Sequence, residues 1–276
     1  MKNSSMYPVA ALACLTFCLL SCSASSQQPE KKARSYTFSD KPVWADEFNY
    51  SGKPDPEKWG YDLGGGGWGN NELEFYTDKN AIVDGSKLVI TAKKEKHENR
   101  DYTSSRLISK NKGDFLYGRF EARMKLPSGR GTWPAFWMLP TDWAYGDWPR
   151  SGEIDIMEHV GYDPNVLHVS IHTEKYNHVK HTEKTAVRTV PTAMSDYHVY
   201  RVDWTPDYIE GYIDGEKMFS FANEKNGPDS WPFDKRFHLL FNLAVGGNWG
   251  GAKGADETVF PAKLEVDYVR VYPLNP

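Results

Sequence analysis

Cysteine is nearly absent from this chain of 276 residues: Cys14, Cys18 and Cys22 are the only three. A fold built from the rest of the chain has neither a disulfide nor thiol chemistry available to it. Basic charge is not in excess, with 33 Lys and Arg against 37 Asp and Glu and a net charge of −4. That balance argues against nucleic acid or another polyanion as a partner. Long apolar runs are missing too. The run from Val9 to Leu20 falls short of the roughly 20 residues that a spanning helix needs. No repeat, heptad or stripe of 3.6-residue period is present, which excludes solenoids, coiled coils and helical bundles.

Aromatic residues are abundant instead. Ten Trp, 16 Tyr and 13 Phe make up 14% of the chain, and hydrophobic residues reach 39%. Such a composition suits strands and flat ligand-binding surfaces. The N-terminus reads as an address: Lys2, the apolar run, then Leu19-Leu20-Ser21-Cys22, which resembles a bacterial lipobox with Cys22 as the lipidated residue. Residues 1–21 are expected to be a signal peptide of lipoprotein type, and residues 22–35 a polar tether. Loss of residues 1–21 removes one charge, Lys2, and leaves −5. The expected location is outside the cytoplasm, on a bacterial outer membrane or cell surface, held there by lipid.

From residue 36 to 276 the chain reads as many short strands parted by Gly, Pro, Asp and Asn turns. Runs at 87–94, 116–126, 132–139, 152–160, 166–173, 197–205, 208–221, 237–247 and 263–272 alternate or stay apolar, and Asp214-Gly215 marks a hairpin. With no alternation of strand and helix, the pattern predicts one antiparallel β-sandwich.

Residues 151–161, SGEIDIMEHVG, thread three acids through apolar neighbours. On a strand, Glu153 and Asp155 share a face, and Glu158, five after Glu153, falls on the other. A β-bulge that gives Ile156 and Met157 one position between them returns Glu158 to the first face, with Ile154, Ile156 and Met157 buried behind. Two carboxyls about 5–5.5 Å apart suit retaining glycoside hydrolysis, with one as nucleophile and one as acid/base. Other same-face pairs are Trp133 with Trp137, opposed by Phe136 and Met138, and Glu121 with Arg123, opposed by Phe120, Ala122 and Met124. Asn70 and Trp249 lie in glycine-rich loops, and His172 is a candidate for the face of the acids. His159 is expected to point away as a structural residue. The histidine-rich stretch 172–184 has no standard zinc spacing and reads as a solvated loop.

Glu-Ile-Asp-Ile-Met-Glu resembles the signature of glycoside hydrolase family 16, in the bulged form of laminarinases and β-1,3(4)-glucanases. Blocks at 68–77, 117–127, 131–140, 244–251 and 266–272 resemble family segments in the same order. The resemblance implies a jelly-roll sandwich with a concave cleft, a retaining endo-hydrolase of β-1,3- or mixed-linkage β-glucan, and no cofactor for catalysis. It makes Glu153 the nucleophile, Asp155 its assistant and Glu158 the acid/base. Asn70, Glu121, Arg123, Trp133, Trp137, Trp148, His172 and Trp249 become the expected sugar binders. A structural calcium ion on Glu47, the Gly85 carbonyl and Asp267 is a further carry-over. The expected partners are a β-glucan and, through lipid, a membrane; a monomer is expected. A non-catalytic glucan-binding protein, a transglycosylase and a sulfated-galactan hydrolase are the competing readings.

Overall fold

The computed structural model describes residue 1 and residues 35–276, and Tyr36–Pro276 form one compact unit. Most of the expected signal segment and tether, Cys22 included, lies outside the described residues. Among the described residues nineteen strands run in chain order. The first nine are β1 (Trp44–Asp46), β2 (Ser51–Gly52), β3 (Gly60–Tyr61), β4 (Glu74–Tyr76), β5 (Ala81–Asp84), β6 (Leu88–Ala92), β7 (Tyr102–Ser104), β8 (Arg106–Ile108) and β9 (Asp114–Phe115). The longer ones follow: β10 (Gly118–Lys125), β11 (Thr132–Pro140), β12 (Glu153–His159), β13 (Val166–His172), β14 (Lys184–Thr189) and β15 (His198–Trp204). The last are β16 (Tyr208–Ile213), β17 (Glu216–Ala222), β18 (Phe237–Val245) and β19 (Ala262–Tyr272). Among the described residues the only helices are two 3-10 turns, His178–Lys180 and Glu257–Val259.

The strands form two large antiparallel sheets, as in a jelly roll. One has the order β17-β16-β15-β10-β19-β6-β5-β2, with β1 beside β19; the other has the order β14-β13-β12-β11-β18-β8-β3, with β9 beside β18. A small parallel pair, β4 and β7, stands apart. The run expected at 208–221 is the hairpin β16–β17, turned at Asp214-Gly215 with both residues at positive φ. The short strands β1 to β5 and β7 to β9 carry too few alternating residues to be read from sequence, and β14, at the sheet edge, alternates only between half-buried and exposed positions.

Alternation places the core. Along β10, Phe120, Ala122 and Met124 are wholly buried while their neighbours are not. Facing them from the second sheet are Phe136, Met138, Ile154 and Ile156, all wholly buried in the same cluster. Phe136 stacks on Phe241 at 4.6 Å between centroids. Burial of a large side chain stabilises by about 1.5–3 kcal/mol, so this layer holds the second sheet rigid. The sheet's outer face is therefore a fixed platform for β11, β12 and β18.

Candidate active site

The bulge is present in β12. Against β13, Asp155 pairs with Ser170 and Glu158 with His168, so Ile156 and Met157 together face Val169 alone. Against β11, Asp155 pairs with Trp137 and Met157 with Phe136, so Ile156 is the extra residue. Ile154, Ile156 and Met157 all point into the core, at 1% exposure or less. Two adjacent apolar side chains thus turn the same way, and Glu158 comes back to the face of Glu153 and Asp155. Ahead of the strand, Gly152 has φ +87, and a Cβ there would meet Pro232 Cγ at 2.8 Å. Only glycine brings the chain into Glu153 this way.

Each outer acid accepts an indole N–H. Trp148 Nε1 donates to Glu153 Oε2 at 2.8 Å, and Trp133 Nε1 donates to Glu158 Oε1 at 3.2 Å. His172, opposite Glu153 on β13, sets its Nε2 3.4 Å from Asp155 Oδ2 and 3.9 Å from Glu153 Oε1. Packing fixes that imidazole, since Trp148, His172 and His178 lie ring against ring at 5.0–6.0 Å.

Burial governs the protonation of the trio. It pushes Glu153 up from 4.5 to about 8, helped by repulsion from Asp155 and opposed by His172 and the Trp148 N–H. Glu158 rises to about 7, again through burial first; His172 lowers it, repulsion from Glu153 raises it, and the Trp133 N–H lowers it. Asp155 is driven well above the carboxylate range by burial and then by Glu158, while a hydrogen bond to Glu153 lowers it. Three carboxyls this close do not all ionise, and their protons belong to the group rather than to single residues. With Asp155 nearly closed to water and Glu153 taking an indole donor, the favoured arrangement puts the proton of that pair on Asp155. Glu153 is then the anion, and Glu158 keeps its own proton into the neutral range.

The acids open on a cleft of about 440 Å³ whose lining includes five tryptophans, Trp68, Trp133, Trp137, Trp143 and Trp148. Trp133 and Trp137 face it from β11, Trp148 from the loop before β12, and Asn70 from the loop before β4. Trp249 meets Trp133 edge-on at 5.5 Å and His168 at 4.8 Å. Its loop comes so near that a Cβ on Gly250 would lie 2.8 Å from Trp133 Cβ.

Of the expected sugar binders, His172 and Trp249 touch lining residues without being among them, and Glu121 and Arg123 do not reach the cleft. Glu121 and Arg123 are on β10, in the other sheet, and their polar face is that sheet's outer surface. There the Tyr272 hydroxyl donates to Glu121 at 3.2 Å, and Arg123 donates to Asp267 at 2.7 Å. The expected calcium donors meet arginines here. Glu47 gives both carboxylate oxygens to Arg270 at 2.8 Å, and Asp267 is paired with Arg123. Gly85 sits in the β5–β6 turn, where a Cβ would meet only Ser51 Oγ within 4 Å. Among the described residues, Glu153, Asp155 and His172 are the one group of three acid or histidine ligands drawn together, and they are the site itself.

Several cleft residues were not legible. Arg106 of β8 lies between the Trp68 and Trp137 rings, 4.8 Å from each, and pairs with Asp62 at 3.0 Å. Glu72 belongs to a buried chain of hydrogen bonds. Trp137 Nε1 donates to Asn242 at 2.8 Å, Asn242 to the Tyr76 hydroxyl at 3.0 Å, and Tyr76 to Glu72 at 2.9 Å. The signal for Glu72, Glu74 and Tyr76 was present as alternate positions of one run, 72–76. His178 corrects the solvated-loop expectation, because it lines the cleft against Trp148. His159 is wholly buried, with Nδ1 2.9 Å from the Val166 carbonyl, and faces away from the acids.

Comparison with known proteins agrees with this geometry. The family model described as glycosyl hydrolases family 16 matches residues 69–270. The chain is 51% identical over 264 residues to a beta-glucanase of Rhodothermus marinus, covering 92% of this chain and 91% of that protein. The crystal structure of the laminarinase from Rhodothermus marinus superposes with a TM-score of 0.85 at 50% identity, covering 88% of this chain and all of that one. SCLam, a non-specific endo-beta-1,3(4)-glucanase, superposes with a TM-score of 0.81 at 43% identity, covering 86% and 93% of the two chains.

Proposed function

The chain belongs to glycosyl hydrolases family 16, and from that membership we propose that it cleaves β-1,3-linked glucans, mixed-linkage β-1,3/1,4-glucans included, within the polymer and with retention of configuration. The observation that carries this reading is the bulge that sets Glu158 beside Glu153 in a cleft of tryptophans. Ionised Glu153 attacks the anomeric carbon, and the glycosidic bond breaks as Glu158 gives its proton to the leaving oxygen. Asp155, protonated against Glu153, holds the nucleophile in place. Once Glu153 is esterified its charge is gone, so Glu158 is freer to take a proton from water. The water oxygen then replaces the Glu153 oxygen at the same face as the original bond.

Indole faces on both sides of the acids suit the apolar faces of glucose rings, while Asn70, Glu72 and Arg106 suit their hydroxyls. A sulfated galactan is disfavoured by charge. The cleft presents the Glu153 anion and Glu72 against one guanidinium, Arg106, which Asp62 already neutralises. A purely binding protein is disfavoured by the burial of three carboxyls with raised proton affinity, which costs stability and serves no binding role. Export with a lipid anchor at Cys22 belongs to the same proposal and rests on Leu19-Leu20-Ser21-Cys22. The test is to incubate the purified protein with laminarin, barley β-glucan and agarose. Reducing ends should appear from the first two and vanish with Glu153→Ala; release from agarose alone would overturn the reading.

A further inference from the structure

A second cavity of about 250 Å³ lies behind the glycine-rich loop that walls the catalytic cleft. The loop runs from Leu63 to Trp68, and its two ends serve different spaces. Leu63 lines the second cavity at 58% exposure, and Trp68 lines the cleft. Tyr76 joins them, since it lines the second cavity, Trp68 packs on its ring at 5.4 Å, and its hydroxyl donates to Glu72 of the cleft. We propose that this cavity is an accessory carbohydrate site, which takes a glucosyl unit of the same polymer that the cleft cleaves; the proposal rests on the glucanase reading above.

The cavity's chemistry matches a neutral sugar. One wall is apolar: Phe75 meets His97 edge to face at 4.6 Å, and Leu63 lies exposed beside them. Such a wall suits the C–H face of a pyranose. The rim is polar and its acids are matched, since Asp78 is paired with Lys53 at 2.6 Å and Glu95 accepts from Thr103 Oγ1 at 2.5 Å. Lys79 adds one ammonium that no acid among the described residues pairs, and together with the hydroxyls, the Asn80 amide and the paired carboxylates it offers sugar hydroxyls both donors and acceptors. The floor is rigid. Asn80, buried at 3% exposure, accepts from Thr77 at 2.5 Å and donates to the Thr91 carbonyl and to Thr103 Oγ1, both at 2.9 Å. A preformed floor lowers the ordering cost of binding. Because one loop separates the two spaces, a polymer held at both gains from effective concentration, and a short oligosaccharide does not.

The experiment compares Leu63→Ser and His97→Ala with the unmodified protein on laminarin and on a β-1,3-linked glucose tetrasaccharide. KM for laminarin should rise about fivefold, the worth of one aromatic contact, with kcat retained and tetrasaccharide turnover unchanged. Native gels cast with laminarin, run with Glu153→Gln carrying either substitution, should show less retardation than Glu153→Gln alone. The proposal is overturned if KM for laminarin stays put. It is equally overturned if laminarin and tetrasaccharide rates fall together, since the substitutions then act through the cleft. A protein that hydrolyses no glucan at all refutes the glucanase reading instead.

Discussion

Replacing Glu153 by glutamine should abolish turnover and yet stabilise the fold, and the gain should grow with pH. Burial and Asp155 raise Glu153 from 4.5 to about 8 in the folded protein, whereas unfolding returns it to its ordinary value. At about 1.4 kcal/mol per pKa unit, the whole shift corresponds to ~5 kcal/mol. The three acids share their protons, so the part assigned to Glu153 alone is smaller, ~2–3 kcal/mol. The sign follows from the raised value. Below pH 4.5 the carboxyl is protonated in both states and costs nothing extra. Between 4.5 and about 8 the unfolded Glu153 and Asp155 both ionise while the folded pair keeps one proton, on Asp155, so the unmodified protein loses stability as pH rises. Glutamine at 153 adds no charge to the pair and so escapes part of that loss. For a domain of this size the difference is about 5–10 °C in Tm. Thermal melts of both proteins at pH 4.5 and pH 9 provide the assay. The melting temperatures should nearly coincide at pH 4.5 and separate at pH 9, with Glu153→Gln the higher. An equal gap at both pH values, or a less stable variant at pH 9, would refute the reasoning.

Three other outcomes are expected. Trp148→Phe keeps a ring against His172 and His178 but removes the N–H held by Glu153; kcat/KM on laminarin should fall about tenfold or more, and the acidic limb of the pH–rate profile should move up, while an unchanged profile would deny the indole that role. Arg106→Gln should raise KM by about tenfold with a smaller loss in kcat, because the guanidinium lies between two cleft tryptophans and away from the acids; an intact KM would place it outside the sugar path. Cys22→Ala should release the protein from membranes or stall its processing, and unaltered fractionation and processing would remove the lipid anchor.

How far the molecule was legible in its sequence depends on what a period of two can say. The odd spacing from Glu153 to Glu158, with Ile156 and Met157 between, demanded a bulge, and β12 has one. Trp133 and Trp137 against Phe136 and Met138 were sorted to opposite faces for the same reason. Glu121 and Arg123 show the limit. Alternation gave their face correctly, but a sandwich has two outer faces, and nothing local says which sheet a strand joins. Arg106 was missed because β8 spans three residues, too few to alternate. The calcium expectation could not weigh charge partners, since Arg270 and Arg123 come from separate strands that only the fold brings to Glu47 and Asp267.

The central claim is that Glu153 and Glu158 act in turn from the same face of one bulged strand. Proton NMR of the first product released from a β-1,3-glucan tests it most directly. The account predicts the β anomer at early times, followed by slow mutarotation. For Glu153→Ala with added azide, it predicts an α-glycosyl azide. An α anomer as the first product of the unmodified protein would contradict the retaining assignment and the roles given to both acids.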